Sequence, residues 1–286
     1  MLHQAIFRPW HTAASSVYLA ITVSLTLSLS SFTRLTAADA VSVSISATPH
    51  AQYSSSIGVL GCKINTNRVA YWPMAVDCNS LCVKLSYGDR SVHLLRIDQS
   101  GGAYDVSYDA WNYLQTGKSA TEDPIAGGGV AMTYENASMS DCSSLIKTGG
   151  GGLPLSAPNS MDFLFSCLDV DESADDQTTW VGKKHALFNI DDSLCSLGYD
   201  EKCTLDWESG ANQPTCPHTL GLQTELTSDP VYDIEYPTGQ KVLASTGQAV
   251  SSAGTPSTTA ASRAAKAQQL LQIVVPAALL AVGMRI

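Results

Sequence analysis

The chain is poor in basic residues: 16 lysines and arginines stand against 26 aspartates and glutamates in 286 residues. This deficit argues against nucleic acids and anionic surfaces as partners, because proteins bind both through lysine and arginine side chains. The chain also lacks any Cys-x-x-Cys pair and any His-x-x-x-His pair. Their absence argues against the alternative of a zinc site, so neither a metal nor a cofactor is expected.

Residues 1–40 have the pattern of a secretory signal peptide. Arg8 gives a short basic start, and residues 14–30 are small or apolar and carry no charge. Ala38-Asp39-Ala40 is a cleavage site of the small-x-small type, which makes Val41 the first residue of the mature chain. The alternative is an uncleaved membrane anchor.

The other end of the chain has the pattern of a signal for a glycosylphosphatidylinositol (GPI) anchor. A linker rich in serine, threonine and alanine (241–262) precedes a short spacer and an apolar tail (263–286). The tail is shorter than the roughly 20 apolar residues of a spanning helix and contains Pro276. Small residues, a polar spacer and a terminal apolar run predict lipid attachment, with a tail-anchored helix as the alternative. The candidate attachment residues are Ser252, which is preferred, Ser257 and Ala260.

The eight cysteines all lie between these two signals, which predicts four disulfides and an oxidising compartment. Their pairing does not follow from their spacing. The same segment carries 11 basic and 25 acidic residues, a net charge near −14, and the Asn-Ala-Ser sequence at Asn136 is a glycosylation acceptor. The cysteines are Cys62, Cys78, Cys82, Cys142, Cys167, Cys195, Cys203 and Cys216.

The mature chain divides into three parts by pattern. Residues 41–57 alternate at their start, which is typical of a strand or of an extended N-terminal arm. Residues 58–142 contain several strand-like runs, a hairpin around the Tyr-Gly-Asp-Arg turn, and one helical stretch that ends at Gly117. Residues 143–240 are turn-rich and hold the last four cysteines, as in a disulfide-stapled extension packed on the preceding domain.

The middle part resembles the six-stranded double-psi β-barrel of expansins, barwin-type proteins and rare lipoprotein A. Its motifs are the hydrophobic-Asp step Ile97-Asp98, the turn Tyr104-Asp105-Val106-Ser107 before a short helix, and the strand from Gly129 to Tyr134 that leads to Cys142. The resemblance implies a mainly β fold: a double-psi barrel with a short helix, followed by the disulfide-rich extension.

The resemblance also implies a ligand groove at one end of the barrel. Asp98 and Asp105 would converge there and accept hydrogen bonds from sugar hydroxyls. Tyr71, Trp72 and Tyr104 would stack on the apolar faces of sugars. The expected partner is therefore a cell-wall polysaccharide, beside the membrane to which a lipid would attach the chain.

Several of these residues have a simpler structural explanation. Asp105 precedes Ser107 and is placed to cap the helix. Trp111 lies on the apolar side of that helix and is more typical of the core. Asp109 is expected to face solvent, and His93 to be structural.

Two carboxylates would be needed for hydrolysis of the kind found in the small barrel endoglucanases related to expansins. Asp105 matches the position of their acid, but their Tyr-Trp-Asp step is replaced here by Tyr71-Trp72-Pro73. We therefore expect non-catalytic binding of a cell-wall glycan. The alternatives are a glycan-cleaving enzyme that uses Asp105 and a structural wall protein without a ligand.

Overall fold

The structure is a computed structural model that describes residues 41–168 and 179–250. The predicted signal peptide (1–40), most of the predicted linker (241–262) and the predicted tail (263–286) lie outside the described residues, as do Ser252, Ser257 and Ala260. Within the part that is described, no helix is both long and apolar enough to cross a membrane.

Strands dominate the described residues, as predicted for a mainly β fold. The strands are β1 (Val43–His50), β2 (Val69–Trp72), β3 (Cys82–Tyr87), β4 (Arg90–Gln99), β5 (Tyr104–Ser107), β6 (Val130–Asn136), β7 (Leu153–Ser156), β8 (His185–Ile190), β9 (Gly198–Cys203), β10 (Tyr232–Ile234) and β11 (Lys241–Leu243). The helices are α1 (Tyr108–Thr116), α2 (Met161–Leu168) and α3 (Trp180–Lys183). Short 3-10 turns lie at Gly61–Lys63, Thr66–Arg68, Ser143–Leu145 and Trp207–Ser209.

Six strands close into a barrel in the order β1-β5-β2-β4-β3-β6. β1 runs parallel to β5 and β2 runs parallel to β4, whereas the other neighbouring pairs are antiparallel. Closure pairs every strand on both sides, so the barrel has no free edge. The prediction of a closed six-stranded barrel is confirmed.

The first strand belongs to this barrel, which corrects the assignment of residues 41–57 to an arm. β1 pairs with β5 from Ala47 to His50 and with β6 from Val43 to Ala47. Its alternate residues Ile45 and Ala47 are buried in the barrel. The strand pattern was visible in the sequence, but its two partners lie some 50 to 90 residues further along the chain.

The interior of the barrel is one apolar cluster to which all six strands contribute. Successive residues of a strand point to opposite faces, so only alternate residues enter it. Its members from the strands are Ile45, Ala47, Ala70, Trp72, Val83, Leu85, Leu94, Val106 and Met132.

Helix α1 packs on this interior. Trp111 is fully buried, as expected from its side of the helix, and its indole N–H donates to the carbonyl of Ala47 at 3.2 Å. The helix ends at Gly117, whose φ of 79° is in the left-handed region that glycine favours. Ser107 occupies the N-cap position but makes no side-chain capping bond.

The C-terminal part forms a three-stranded sheet, β7-β8-β9, and the hairpin β10-β11. Its apolar residues share a second core cluster with the outward-facing residues of the barrel, among them Val69 and Leu95 with Leu155 and Ile190. The extension and the barrel strands therefore bury a common apolar surface.

Four disulfides pair all eight cysteines, as predicted. They are Cys62–Cys195, Cys78–Cys167, Cys82–Cys142 and Cys203–Cys216. The first two join the barrel part of the chain to the C-terminal part. Four disulfides indicate an extracellular or secreted protein, because such bonds persist in oxidising compartments.

Candidate functional site

The predicted carboxylates lie in one row across four neighbouring strands. Tyr71 on β2 is the register partner of Asp98 on β4 and of Asp105 on β5. Asp105 in turn is paired with Thr48 on β1. Because paired residues of adjacent strands project from the same face, Asp98, Tyr71, Asp105 and Thr48 form what we call the polar row. With about 4.8 Å between strands, the backbones of the two aspartates lie about 10 Å apart.

The carboxylate of Asp98 is engaged in hydrogen bonds within the protein. It is buried and accepts the hydroxyl of Ser54 at 2.5 Å and the backbone N–H of Ser56 at 2.9 Å. The N–H of Gln99 donates to it as well, at 2.8 Å. Its oxygens thus hold the loop that follows β1 against the end of β4.

Asp105 is half-buried and accepts the hydroxyl of Thr48. It lies within β5 and bonds across to β1, so it does not cap α1, which was the alternative considered from the sequence. Its exposed fraction leaves it reachable from outside, in contrast to Asp98.

Tyr71 cannot stack on a sugar in this structure, because its side chain is only 3% exposed. Burial raises the pKa of its phenol well above the ordinary value of 10.0, and the negative charges of Asp233 and Asp98 raise it further. Its ring lies against His50, with 4.5 Å between ring centroids. Tyr71 is therefore a neutral, buried member of the polar row, and its prediction as a stacking residue is wrong.

Trp72 is also buried, on the opposite face of β2. Its ring lies inside the barrel, 5.4 Å from Tyr104 and 4.4 Å from Tyr134 between centroids. The prediction that it stacks on a ligand is wrong, because both faces of β2 are covered, one by the barrel interior and the other by the C-terminal part. Tyr104, at the start of β5, remains half-buried.

One further residue, Asp233, lies beside the polar row and was not identified from the sequence. Asp233 on β10 is 8% exposed and accepts the backbone N–H of Tyr53 at 2.9 Å. Burial raises its pKa above the ordinary value of 3.8, while that N–H and the nearby His50 lower it. The only available signal was an aspartate inside an apolar strand pattern, and its partner lies 180 residues away in the sequence.

Strand β10 lies between two surface grooves. One, of about 690 Å³, is lined by His50, Gln52, Asp233, Glu235 and Tyr236 among others. The other, of about 590 Å³, is lined by polar residues that include Asn65, Thr66, Asn67, Lys147 and Lys241. Volumes of this size are typical of sites for small ligands.

Asp109 does not face solvent, which corrects the expectation from the sequence. It is buried and forms an ion pair with Arg68 at 2.8 Å. It also accepts the hydroxyl of Ser119 and the N–H of Ala120. It therefore joins the start of α1 to the loop that follows that helix.

Asn136 is exposed at the end of β6, where a glycan would meet no steric obstacle from the strand. His93 lies in β4 opposite Lys84 on β3 and is not a member of the polar row. Among the described residues, no group of three or more histidine, cysteine, aspartate or glutamate side chains is arranged to hold a metal ion.

Comparisons with protein-family models, with curated proteins and with solved structures found no match to this chain.

Proposed function

We propose that this protein binds a cell-wall glycan at the outer surface of the cell, without cleaving it, and that its barrel is of the double-psi, expansin-like type. The order β1-β5-β2-β4-β3-β6, with its two parallel pairs, supports this type together with the motifs around Asp98 and Asp105. Residues 1–40 would direct secretion, and the tail would exchange for a lipid at Ser252, with Ser257 or Ala260 as alternatives.

The observation that carries the proposal is the polar row. Asp105 is the carboxylate of the row that can be reached from outside, and Thr48 supplies the neighbouring hydroxyl. His50, which lies on the same strand as Thr48, lines the 690 Å³ groove. Carboxylates and hydroxyls are suitable partners for sugar hydroxyls, and the groove has the volume of a site for a small ligand such as a short stretch of glycan. Of the three aromatic residues predicted to stack on sugars, Tyr104 is the one that is still partly exposed.

The occupancy of Asp98 supports binding without cleavage. Glycoside hydrolysis uses two carboxyl groups, one on each side of the bond, and each must be free to exchange a proton or reach the sugar. Asp98 accepts three hydrogen bonds within the fold, and Pro73 stands where the related hydrolases carry an acid. Asp105 alone remains available in the row.

One observation favours cleavage as a second candidate. Asp233 lies beside Tyr71 and borders the larger groove, and burial raises its pKa. A carboxyl group that stays protonated to a higher pH is suited to act as a general acid, with Asp105 as the second carboxyl group.

The test is retention on insoluble glucan, chitin and peptidoglycan of the protein purified from the full-length chain. We expect Asp105→Asn to weaken retention about tenfold, since a charged acceptor makes hydrogen bonds roughly twice as strong as a neutral one. Asp89→Asn, in the exposed turn between β3 and β4, is the matched control and should bind as the wild type does.

Equal retention of the wild type and Asp105→Asn on every glycan would contradict the proposal. New reducing ends or lytic products that disappear in Asp105→Asn or Asp233→Asn would replace binding with catalysis.

A further inference from the structure

Arg96 is a buried cation that forms no ion pair within residues 41–168 and 179–250. Its side chain lies at the end of the barrel where β2 and β4 end and β5 begins, and the residue is 6% exposed. Within residues 41–168 and 179–250 no carboxylate lies within 4.0 Å of it. Its only hydrogen bond there is a long one, 3.5 Å from Nη2 to the carbonyl of Ala75. Among the described residues the buried N–H on Nε of this guanidinium has no acceptor.

A second unsatisfied donor lies at the same end of the barrel. The guanidinium of Arg96 is 5.9 Å from the ring centroid of Trp72, whose indole N–H is buried and also lacks a partner among the described residues. The rings of Tyr104 and Tyr134 contact Trp72 and are partly exposed. We call this set, Trp72, Arg96, Tyr104 and Tyr134, the barrel mouth.

This arrangement is costly in the free protein. Burial disfavours the charged guanidinium and lowers the pKa of Arg96. Asp77 attracts it from a distance, but the carboxylate of Asp77 accepts the N–H groups of Asn79 and Ser80. A buried charge that lacks a partner opposes folding, and an arriving anion would supply one to Arg96.

We propose that the barrel mouth binds the carboxylate of an acidic sugar, so that the glycan of the proposed function contains uronic acid residues. The planar guanidinium fork matches a carboxylate with two parallel hydrogen bonds. The partly exposed rings of Tyr104 and Tyr134 offer surface for the apolar face of the sugar. A single recessed cation matches one carboxylate rather than an array of anionic groups, which agrees with the excess of acidic residues in the chain.

The inference rests on the proposed function, and calorimetry can separate the two. The probes are an oligogalacturonate and its methyl ester, which differ only in the charge of the carboxyl groups. We expect the wild type to bind the acid at least about tenfold more tightly than the ester, because an ionised acceptor strengthens the bonds from Arg96.

Variants locate the effect. Arg96→Gln should abolish the preference for the acid, and Arg96→Lys, which keeps the charge but loses the planar fork, should reduce it several-fold. Lys118→Gln removes the same charge at an exposed position and should leave the preference unchanged. The melting temperature of Arg96→Gln without ligand should equal or exceed that of the wild type, since a buried unpaired charge is removed.

Equal binding of acid and ester by the wild type, which requires no variant, would overturn the inference. A preference retained in Arg96→Gln would also overturn it. If neutral glucans bind in either case, the proposed function survives, whereas failure of every glycan to bind would remove both.

Discussion

The carboxyl group of Asp233 is buried, so its ionised form is destabilised. Tyr71 and His50 face it from the barrel, and the N–H of Tyr53 donates to it. Burial outweighs the two favourable contacts, so the pKa is raised. The residue therefore lowers stability when ionised, which is the cost expected of a group kept for binding or proton transfer.

The pH dependence of stability follows from that shift. A carboxyl group whose folded-state pKa lies above its ordinary value of 3.8 costs nothing below that value. The loss of folding free energy grows as the pH rises from 3.8 to the folded-state pKa and is constant above it. Asp233→Asn keeps an acceptor for the Tyr53 N–H but cannot ionise. We expect its free energy of unfolding, relative to the wild type, to increase from pH 3 to pH 7.

Urea unfolding of both proteins at a series of pH values measures this difference. Asp89→Asn, at an exposed turn, should show no such trend. A constant or decreasing difference for Asp233→Asn would show that the carboxylate is held by net favourable contacts.

Helix α1 is attached to the barrel mainly through one side chain. Trp111 fills the space between the helix and the barrel and bonds to β1 through its indole N–H. The helix has no side-chain capping bond at Ser107, so its position depends on this packing and on the ion pair of Asp109 with Arg68.

We expect Trp111→Ala to lower the free energy of unfolding by about 3–5 kcal/mol, the usual cost of removing a buried tryptophan. Tyr113 is a half-buried residue of the same helix whose ring lies against Arg68, and Tyr113→Ala should cost only about 1 kcal/mol. Chemical denaturation compares the two, and similar losses would contradict the placement of Trp111 in the core.

For the whole molecule, the disulfides differ in the length of chain that they close. Cys62–Cys195 spans 133 residues and joins the barrel part to the C-terminal part, whereas Cys203–Cys216 spans 13 residues within one lobe. A longer closed loop removes more conformational entropy from the unfolded chain.

The loop lengths predict unequal costs for removing these two bonds. Replacement of Cys62 and Cys195 by alanine should cost about 2 kcal/mol more than replacement of Cys203 and Cys216, from the logarithmic dependence on loop length. Thermal and urea unfolding of the two double variants measures the difference. An equal or reversed order would mean that native-state packing, not chain entropy, sets the contribution of each bond.

Local patterns in the sequence were sufficient for several features. Four of them were predicted and confirmed, because each depends on neighbouring residues or on composition: the hairpin of β3 and β4, the glycine that ends α1, the burial of Trp111 and the presence of every cysteine in a disulfide. The closed six-stranded barrel was also predicted, as what the resemblance of its motifs to a known barrel family implies.

The tertiary structure alone decided which residues meet. It brought Asp98, Tyr71 and Asp105 into register, placed Thr48 and Asp233 beside them, and left Arg96 without an ion pair among the described residues. It also buried Tyr71 and Trp72, because the C-terminal part covers the outer face of β2 while the barrel encloses the inner one. Such burial is set by contacts between segments that are far apart in the chain, and the periodicity of a four-residue strand carries no information about them.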